Sequence, residues 1–426
     1  MNTLEQAKRD GVFPITFHNY CAWGSPAGRP ESVKDWKALG ITVGRTPNFH
    51  PDKHDKRLVL EMLDACAEEN MKCFVCDDRG GYGHHMDKTE DEVRRLFDAS
   101  LKDFGDHPAL FGFDAGDEAS KDRIGVGFRT AKIHFEMAPH LTPFMTFGGY
   151  TPSGTEWMGL RSYRRYLEEY IRVANPTLLF QNNGGLVSPE ADGVDSFYRG
   201  QKVYVDVTAP YPDMKRWTTL CCTPHLTMDL LGEDTFRWQT SAAAMLGNTG
   251  FAWFLVYVTK PHWNYRQAPI DEHWERTAAF EHLSRVLRSF QKMHGATMMK
   301  LKYQRSFFLG QRYGGFPYTI DSELVKDVKA EFPVLVSEFV DDEGRDYVGV
   351  MNNTREGLGQ AVITWHDQPE VFQVGWEGVE TVATNYFDDD NPANPAKMTG
   401  PWLAPGQMEL YRVDSPPSPW LKQLFS

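Results

Sequence analysis

The chain has 426 residues, 41% apolar and 13% aromatic, with a formal net charge of −13. That length exceeds one ordinary core and implies a large domain with a smaller one. The acidic balance repels phosphate backbones and anionic bilayers, which argues against nucleic-acid and membrane partners, and no run of about 18 apolar residues is present to span a bilayer.

The opening segment, MNTLEQAKRDGVFPITFHNY, lacks the basic, apolar and small-residue plan of a signal peptide. A cytoplasmic protein is expected, or a secreted one whose signal has been removed. VFPITFHNY (12–20) reads as a first strand, and PESVKDWKALG as a helix stopped by Gly40. ITVGRTPN (41–48) is a second strand, followed by DKRLVLEMLDACAEENM with apolar residues at helical spacing. KCFVCDD (72–78) is a third strand, and TEDEVRRLFDASLKDFGDHP a helix with Thr89 at its N-cap. ALFGFDAGDE is the fourth strand, TPFMTFGGY (142–150) the fifth, SYRRYLEEYIRVANP a helix and TLLFQNNGG (177–185) the sixth strand. DSFYRGQKVYVDVTAPYP suits a helix or a strand and is read as a helix leading to a turn. WTTLCCTPH (217–225) is the seventh strand, EDTFRWQTSAAAMLGNTG a helix, FAWFLVYV (251–258) the eighth strand, and DEHWERTAAFEHLSRVLRSFQKM closes the series.

Eight alternating strand–helix units predict an α/β fold, a (β/α)8 TIM barrel over residues 1–297. An open doubly wound sheet is the alternative, but no G-x-G-x-x-G follows the first strand. Beyond residue 297 the texture changes. FPVLVSEFVDDEGRDYVGVMNN reads as two strands around a turn at Asp342–Gly344, and GQAVITWH, EVFQVGW, ETVATNYF and GQMELYRVD are further short strands. Residues 298–426 are therefore expected to form a small antiparallel β-sandwich.

The six cysteines, Cys21, Cys66, Cys73, Cys76, Cys221 and Cys222, fall mostly in apolar segments and read as reduced core thiols. Cys73 and Cys76 form C-x-x-C on a strand with no second pair. His84 and His85 are adjacent, point in different directions and have no evident third ligand, so neither a metal nor a cofactor is expected.

HPALFGFDAGDEAS (107–120) ends a buried strand on Asp114, Asp117 and Glu118. In a barrel the strand C-termini converge on one mouth, where catalytic groups collect. Strict alternation would place Asp114, Gly116 and Glu118 on one face, with Asp114 a layer deeper. The alternative is that Asp117 and Glu118 only cap the next helix. The other strand ends bring His18 and Asn19, Arg45 and Asn48, Asp77 and Asp78, Asn182, His225, and Trp253 with Tyr257 towards the same mouth. Amide, imidazole and guanidinium groups suit sugar hydroxyls, and a Trp face suits a pyranose ring.

HPALFGFDAGDEAS is similar to the H-P-A-L-x-G-x-x-x-x-D-E-P strand of clan A glycoside hydrolases and their uncharacterised barrel relatives. YRRYLEEYIRVANPTLLF, FRWQTSAAAMLGNTGFAWFLVYV and the tail WLAPGQMELYRV resemble other segments of such proteins. The resemblance implies a carbohydrate substrate and makes Glu118 the general acid/base. The clan's nucleophilic Glu at the seventh strand is not found: TTLCCTPH offers Thr223 and His225 instead. Asp229 lies in the following loop, and Glu233 and Asp234 read as first-turn helix residues. Asp78 is the favoured second catalytic carboxylate, because CDDRGG ends a strand before a glycine-rich loop. Two other readings stay open: a barrel that binds carbohydrate without cleaving it, and a metal-dependent hydrolase or lyase using His18, Asp77, Asp78 and His225. A homo-oligomer is compatible with the sequence.

Overall fold

A computed structural model describes residues 1–150, 162–182, 193–224, 231–258, 265–367, 369–383 and 398–414. Residue contacts group the chain into two units, Met1–Glu233 with Asn248–Ser289, and Asp234–Gly247 with Phe290–Ser426.

The first unit is a parallel barrel. Its strands are β1 (Ile15–Phe17), β2 (Val43–Arg45), β3 (Lys72–Val75), β4 (Leu110–Asp117), β5 (Phe144–Phe147), β6 (Leu178–Asn182), β7 (Lys215–Cys221) and β8 (Phe251–Phe254). They are ordered β1-β8-β7-β6-β5-β4-β3-β2, all neighbours parallel. Hydrogen bonds close the seam between β1 and β2, among them Thr42 N to Ile15 O (2.9 Å), Ile15 N to Thr42 Oγ1 (2.8 Å) and Asn19 Nδ2 to Arg45 O (2.8 Å). Asn19, read from sequence as a sugar-binding group, thus serves this seam.

Helices follow the predicted order. α1 (Thr3–Arg9) precedes β1; α2 (Val33–Leu39), α3 (Arg57–Glu68), α4 (Glu90–Phe104) and α5 (Ile124–Met137) follow the first four strands. Thr89 and Glu92 form a reciprocal capping box at the start of α4. The ambiguous segment is a helix, Gly193–Thr208, burying Phe197, Tyr198, Tyr204 and Val207 along one side. α5 has no counterpart in the sequence reading, since its two glycines and β-branched residues weaken its helical signature. No described helix is long and apolar enough to cross a membrane.

The barrel interior is floored by Val43, Phe74, Phe111, Phe144, Leu178, Phe180, Trp217 and Ala252, with Leu4 of α1 packed beneath. The rings interlock edge to face, Phe74 with Phe111 and Phe144 (both 5.1 Å) and Phe144 with Phe180 (5.0 Å). Burying each such ring contributes about 1.5–3 kcal/mol. Strand periodicity then dictates the next layer. Two residues beyond Val43, Phe74, Phe144, Phe180 and Trp217 stand Arg45, Cys76, Thr146, Asn182 and Thr219, and two beyond Thr16 stands His18.

β4 breaks that alternation twice. Register shifts between Leu110 and Gly112 opposite β3, and between Asp114 and Gly116 opposite β5, each insert one residue. The inward positions are consequently Phe111, Asp114 and Asp117, three apart, rather than the Asp114, Gly116 and Glu118 set expected from sequence. Gly112 is required at the first bulge, because a Cβ there would lie 1.6 Å from the carbonyl oxygen of Thr142. Gly112→Ala is expected to destabilise the protein by about 1–3 kcal/mol, the range for forced overpacking. An unchanged urea midpoint would show that the backbone yields freely.

The second unit carries antiparallel sheets. Six strands run in the order β16-β15-β19-β12-β11-β9, and three in the order β10-β14-β17. Their ranges are β9 (Lys302–Leu309), β10 (Val325–Lys329), β11 (Val334–Val340), β12 (Asp346–Asn352), β14 (Val362–Trp365), β15 (Glu370–Val374), β16 (Glu380–Val382), β17 (Met398–Thr399) and β19 (Met408–Asp414). A short pair, β13 (Gly359–Gln360) and β18 (Trp402–Leu403), completes them. β11 and β12 form the predicted hairpin around Asp342–Gly344. Apolar faces of the two larger sheets share one core, including Phe307, Val336, Val350, Ile363, Trp365 and Tyr411. Within this unit the helical residues Trp238 and Met245 pack on the sheets: Trp238 Nε1 donates to Asn353 Oδ1 (2.9 Å), and Met245 covers Gly349.

Candidate active site

The polar layer above the aromatic floor forms one directed network. Arg45 is buried, ion-paired with Asp114 and stacked over Phe144, its guanidinium carbon 4.4 Å from the ring centroid. Burial alone would weaken its hold on a proton, but Asp114 more than offsets this. Arg45 Nη1 faces His18 Nδ1 at 3.5 Å. A guanidinium only donates, so Nδ1 is the acceptor and Nε2 carries the hydrogen. Burial, reinforced by Arg45 and opposed by Asp114, pushes His18 down to about 3 and keeps it neutral. Its Nε2–H meets Thr219 Oγ1 at 3.2 Å, and Thr219 donates in turn to Asn182 Oδ1 (2.7 Å).

That leaves the Asn182 amide nitrogen to donate to both carboxylates of the fourth strand, Asp117 Oδ1 at 2.9 Å and Glu118 Oε1 at 3.0 Å. The two acids are nonetheless treated differently. Asp117 also accepts from Thr146 Oγ1, and from the Tyr20 hydroxyl at 3.3 Å. Among the described residues, Glu118 accepts only from Asn182. Desolvation raises the pKa of the Glu118 carboxyl, the Asp117 charge raises it further, and the Asn182 bond opposes both. More than a third of the residue's area is still open. Crowding and openness agree if solvent reaches the carboxyl from one side, as an acid facing a substrate requires.

Backbone geometry sets this pair. Gly116 has φ +131° and Glu118 φ +48°. A Cβ at Gly116 would lie 2.1 Å from the Tyr82 ring, so only glycine lets that ring close over the strand end. The Tyr82 hydroxyl donates to the Asp117 carbonyl at 2.6 Å, the peptide leading into Glu118.

Asp78 belongs to a neighbouring cluster. Its Oδ1 accepts from Asn48 Nδ2 (2.5 Å) and lies 3.0 Å from His84 Nε2, while His50 Nε2 is 3.9 Å from Oδ2. Asp77 points elsewhere. It is enclosed against Arg79 and Ser100 of α4, at 2.7 and 2.8 Å, and does not join the mouth. Trp253 is fully buried, on the strand face opposite Ala252 of the floor, and Tyr257 is buried with its hydroxyl accepting from Trp36 Nε1 (2.7 Å). Neither offers a sugar platform, because both pack behind the sheet. His225 and Asp229 lie outside the described residues. Glu233 is the first residue of its helix and pairs with Arg285 (3.6 Å). Among the described residues no three His, Cys, Asp or Glu side chains are gathered to hold a metal. All six cysteines are buried and none forms a disulfide.

Tyr20, Tyr82, Thr146 and Thr219 escaped the sequence reading, which weighed His84 only as a metal ligand. Thr146 and Thr219 could have been found by counting two residues beyond Phe144 and Trp217. The tyrosines and His84 sit on loops with no such signal.

No family model matches the chain, and no curated protein matches its sequence. Solved structures do. A family 5 glycoside hydrolase from Bacteroides vulgatus is 10% identical, with a TM-score of 0.57 over 95% of this chain and 89% of that one. Another glycoside hydrolase gives 10% identity and a TM-score of 0.57 over 95% and 93%. A β-galactosidase from the psychrophilic Marinomonas ef1 gives 9% and 0.49, and the chain spans 62% of its length. The likeness is one of fold: this chain has the barrel and C-terminal antiparallel sheets seen in glycoside hydrolases.

Proposed function

We propose that the protein is a glycoside hydrolase that cleaves a glycosidic bond of a small glycoside or glycan end by acid/base catalysis, with Glu118 as the general acid. The observation that carries this reading is the unequal pair at the end of β4: three donors converge on Asp117, and Glu118, with one donor and a charged neighbour, has its pKa raised. Such an acid keeps its proton to higher pH than an ordinary Glu, as protonation of a leaving oxygen requires. Asp78 is the second acidic group of this reading, held in the neighbouring cluster by Asn48 and His84. His18, Arg45, Asp114 and Asn182 hold the mouth in register, and the open sides of Tyr20 and Asp117 face the ligand. The fold of the similar solved structures supports the substrate class.

The test is a panel of aryl glycosides and natural oligosaccharides. Sugar release is expected, and since only protonated Glu118 is active, kcat/KM should fall as pH rises through its pKa. That alkaline limb should lie above the usual Glu value of about 4.3. Asp117→Asn removes the charge that raises it, so the limb should move to lower pH. A limb that does not move removes Glu118 from the role.

A second reading, carbohydrate binding without turnover, is favoured by β7, whose described end, Cys221 to Thr223, carries no carboxylate. Calorimetric binding by the same panel, with no sugar released, would establish it.

A further inference from the structure

Asp78 is poorly placed to meet a substrate directly. Its side chain is 9% exposed, and one oxygen is taken by Asn48 and His84. His84, by contrast, has 52% of its side chain in solvent. Asp78 accepts through Oδ1 from Asn48 at 2.5 Å, which fixes the carboxylate, and an oxygen so held 3.0 Å from His84 Nε2 accepts the hydrogen that this nitrogen carries. In the neutral ring His84 Nδ1 is then the lone-pair nitrogen, and it has no partner among the described residues. A buried carboxylate that orients an accessible imidazole is the arrangement that makes a histidine a general base.

The turn that carries His84 is also tied to the fourth strand. Tyr82, two residues before His84 in the turn Tyr82–His84, is the residue whose hydroxyl binds the Asp117 carbonyl next to Glu118. The segment is anchored from behind: His85 Nε2 lies 3.1 Å from Arg79 O, and His134 Nε2 2.9 Å from Gly80 O. The position of His84 relative to β4 is therefore set by buried contacts on both sides of it.

We propose that Asp78 and His84 form a catalytic dyad in which His84 Nδ1 is the general base of the hydrolysis. The proposal rests on the glycoside hydrolase reading above. In the step, Nδ1 takes a proton from water as the water oxygen bonds to the anomeric carbon. The bond from that carbon to the leaving oxygen breaks with its electron pair on the oxygen, which receives the proton of Glu118. The products are the free sugar, the released alcohol, an imidazolium and a carboxylate, and solvent returns the proton from one to the other. Because water attacks, the anomeric configuration inverts.

The experiment uses the full chain and two readouts. On a substrate cleaved by the wild type, His84→Ala should lower kcat by about 10²–10⁴, the share a general base supplies, with KM little changed. Added imidazole should restore part of it. His84→Asn, which can keep a hydrogen bond to Asp78, should lose kcat equally, which a merely structural histidine would not. Independently of any substrate, ¹⁵N spectra of labelled histidine should show Nε2 protonated and Nδ1 unprotonated in the His84 ring, identified by its loss in His84→Asn. That preference should disappear in Asp78→Asn. A protonated Nδ1 overturns the dyad. Near-normal turnover by His84→Ala, where Glu118→Gln is inactive, overturns the dyad alone and leaves Glu118 in place. Absence of any cleavage by the wild type removes the hydrolase reading and the dyad with it.

Discussion

Glu118→Gln is expected to lower turnover by about 10²–10⁴ on substrates with poor leaving groups, the range general acid catalysis supplies. Substrates with very good leaving groups should lose much less, since they need little protonation. Substrate affinity should hold, because Gln keeps an acceptor for the Asn182 amide. Stability separates this from a folding defect. The Glu118 pKa is raised in the folded state, so its contribution is fully present below the unfolded value and is lost as pH rises through the folded one. Gln relieves that loss. The variant should melt at an equal or higher temperature than the wild type at pH 7, and the two should converge near pH 4. Normal turnover of a poor-leaving-group substrate would end the assignment.

Asp78→Asn should abolish hydrolysis, while Asp229→Asn and Glu233→Gln retain most of it. The Asp78 variant loses the acceptor that orients His84. Glu233 starts a helix and is paired with Arg285, so Gln there should be nearly silent. The companion measurement is the anomer released first, read by NMR. Inversion fits water activated between groups about 6.5–9.5 Å apart, whereas retention implies a carboxylate about 5–5.5 Å from Glu118 that attacks carbon directly. An active Asp78→Asn beside a dead Asp229→Asn would move the chemistry to the loop after β7.

The sequence by itself determined the barrel and its C-terminal sheets. Alternating periods near 2 and 3.6, punctuated by Gly40, Thr89 and the Asp342–Gly344 turn, are local signals, and local sterics and capping decide them. It also pointed to Glu118, because carboxylates at a barrel strand end are costly unless they face the mouth. The tertiary structure decided which residues share that mouth. Both faces of a barrel strand are apolar, so composition could not show that Trp253 and Tyr257 turn outward while Ala252 turns in. The two bulges of β4 shift inward positions from every second residue to every third, and they exist because Gly112 and Gly116 admit Thr142 and Tyr82 to within a Cβ radius of the strand. Partners far apart in the chain, such as Thr219 for Asn182, leave no local trace, and neither does His84 for Asp78 within one loop that has no periodicity. Only the pairing of β6 with β7 brings Thr219 and Asn182 to 2.7 Å, and only the folded turn Tyr82–His84 brings His84 to 3.0 Å from Asp78, so that each acquires a donor or acceptor role.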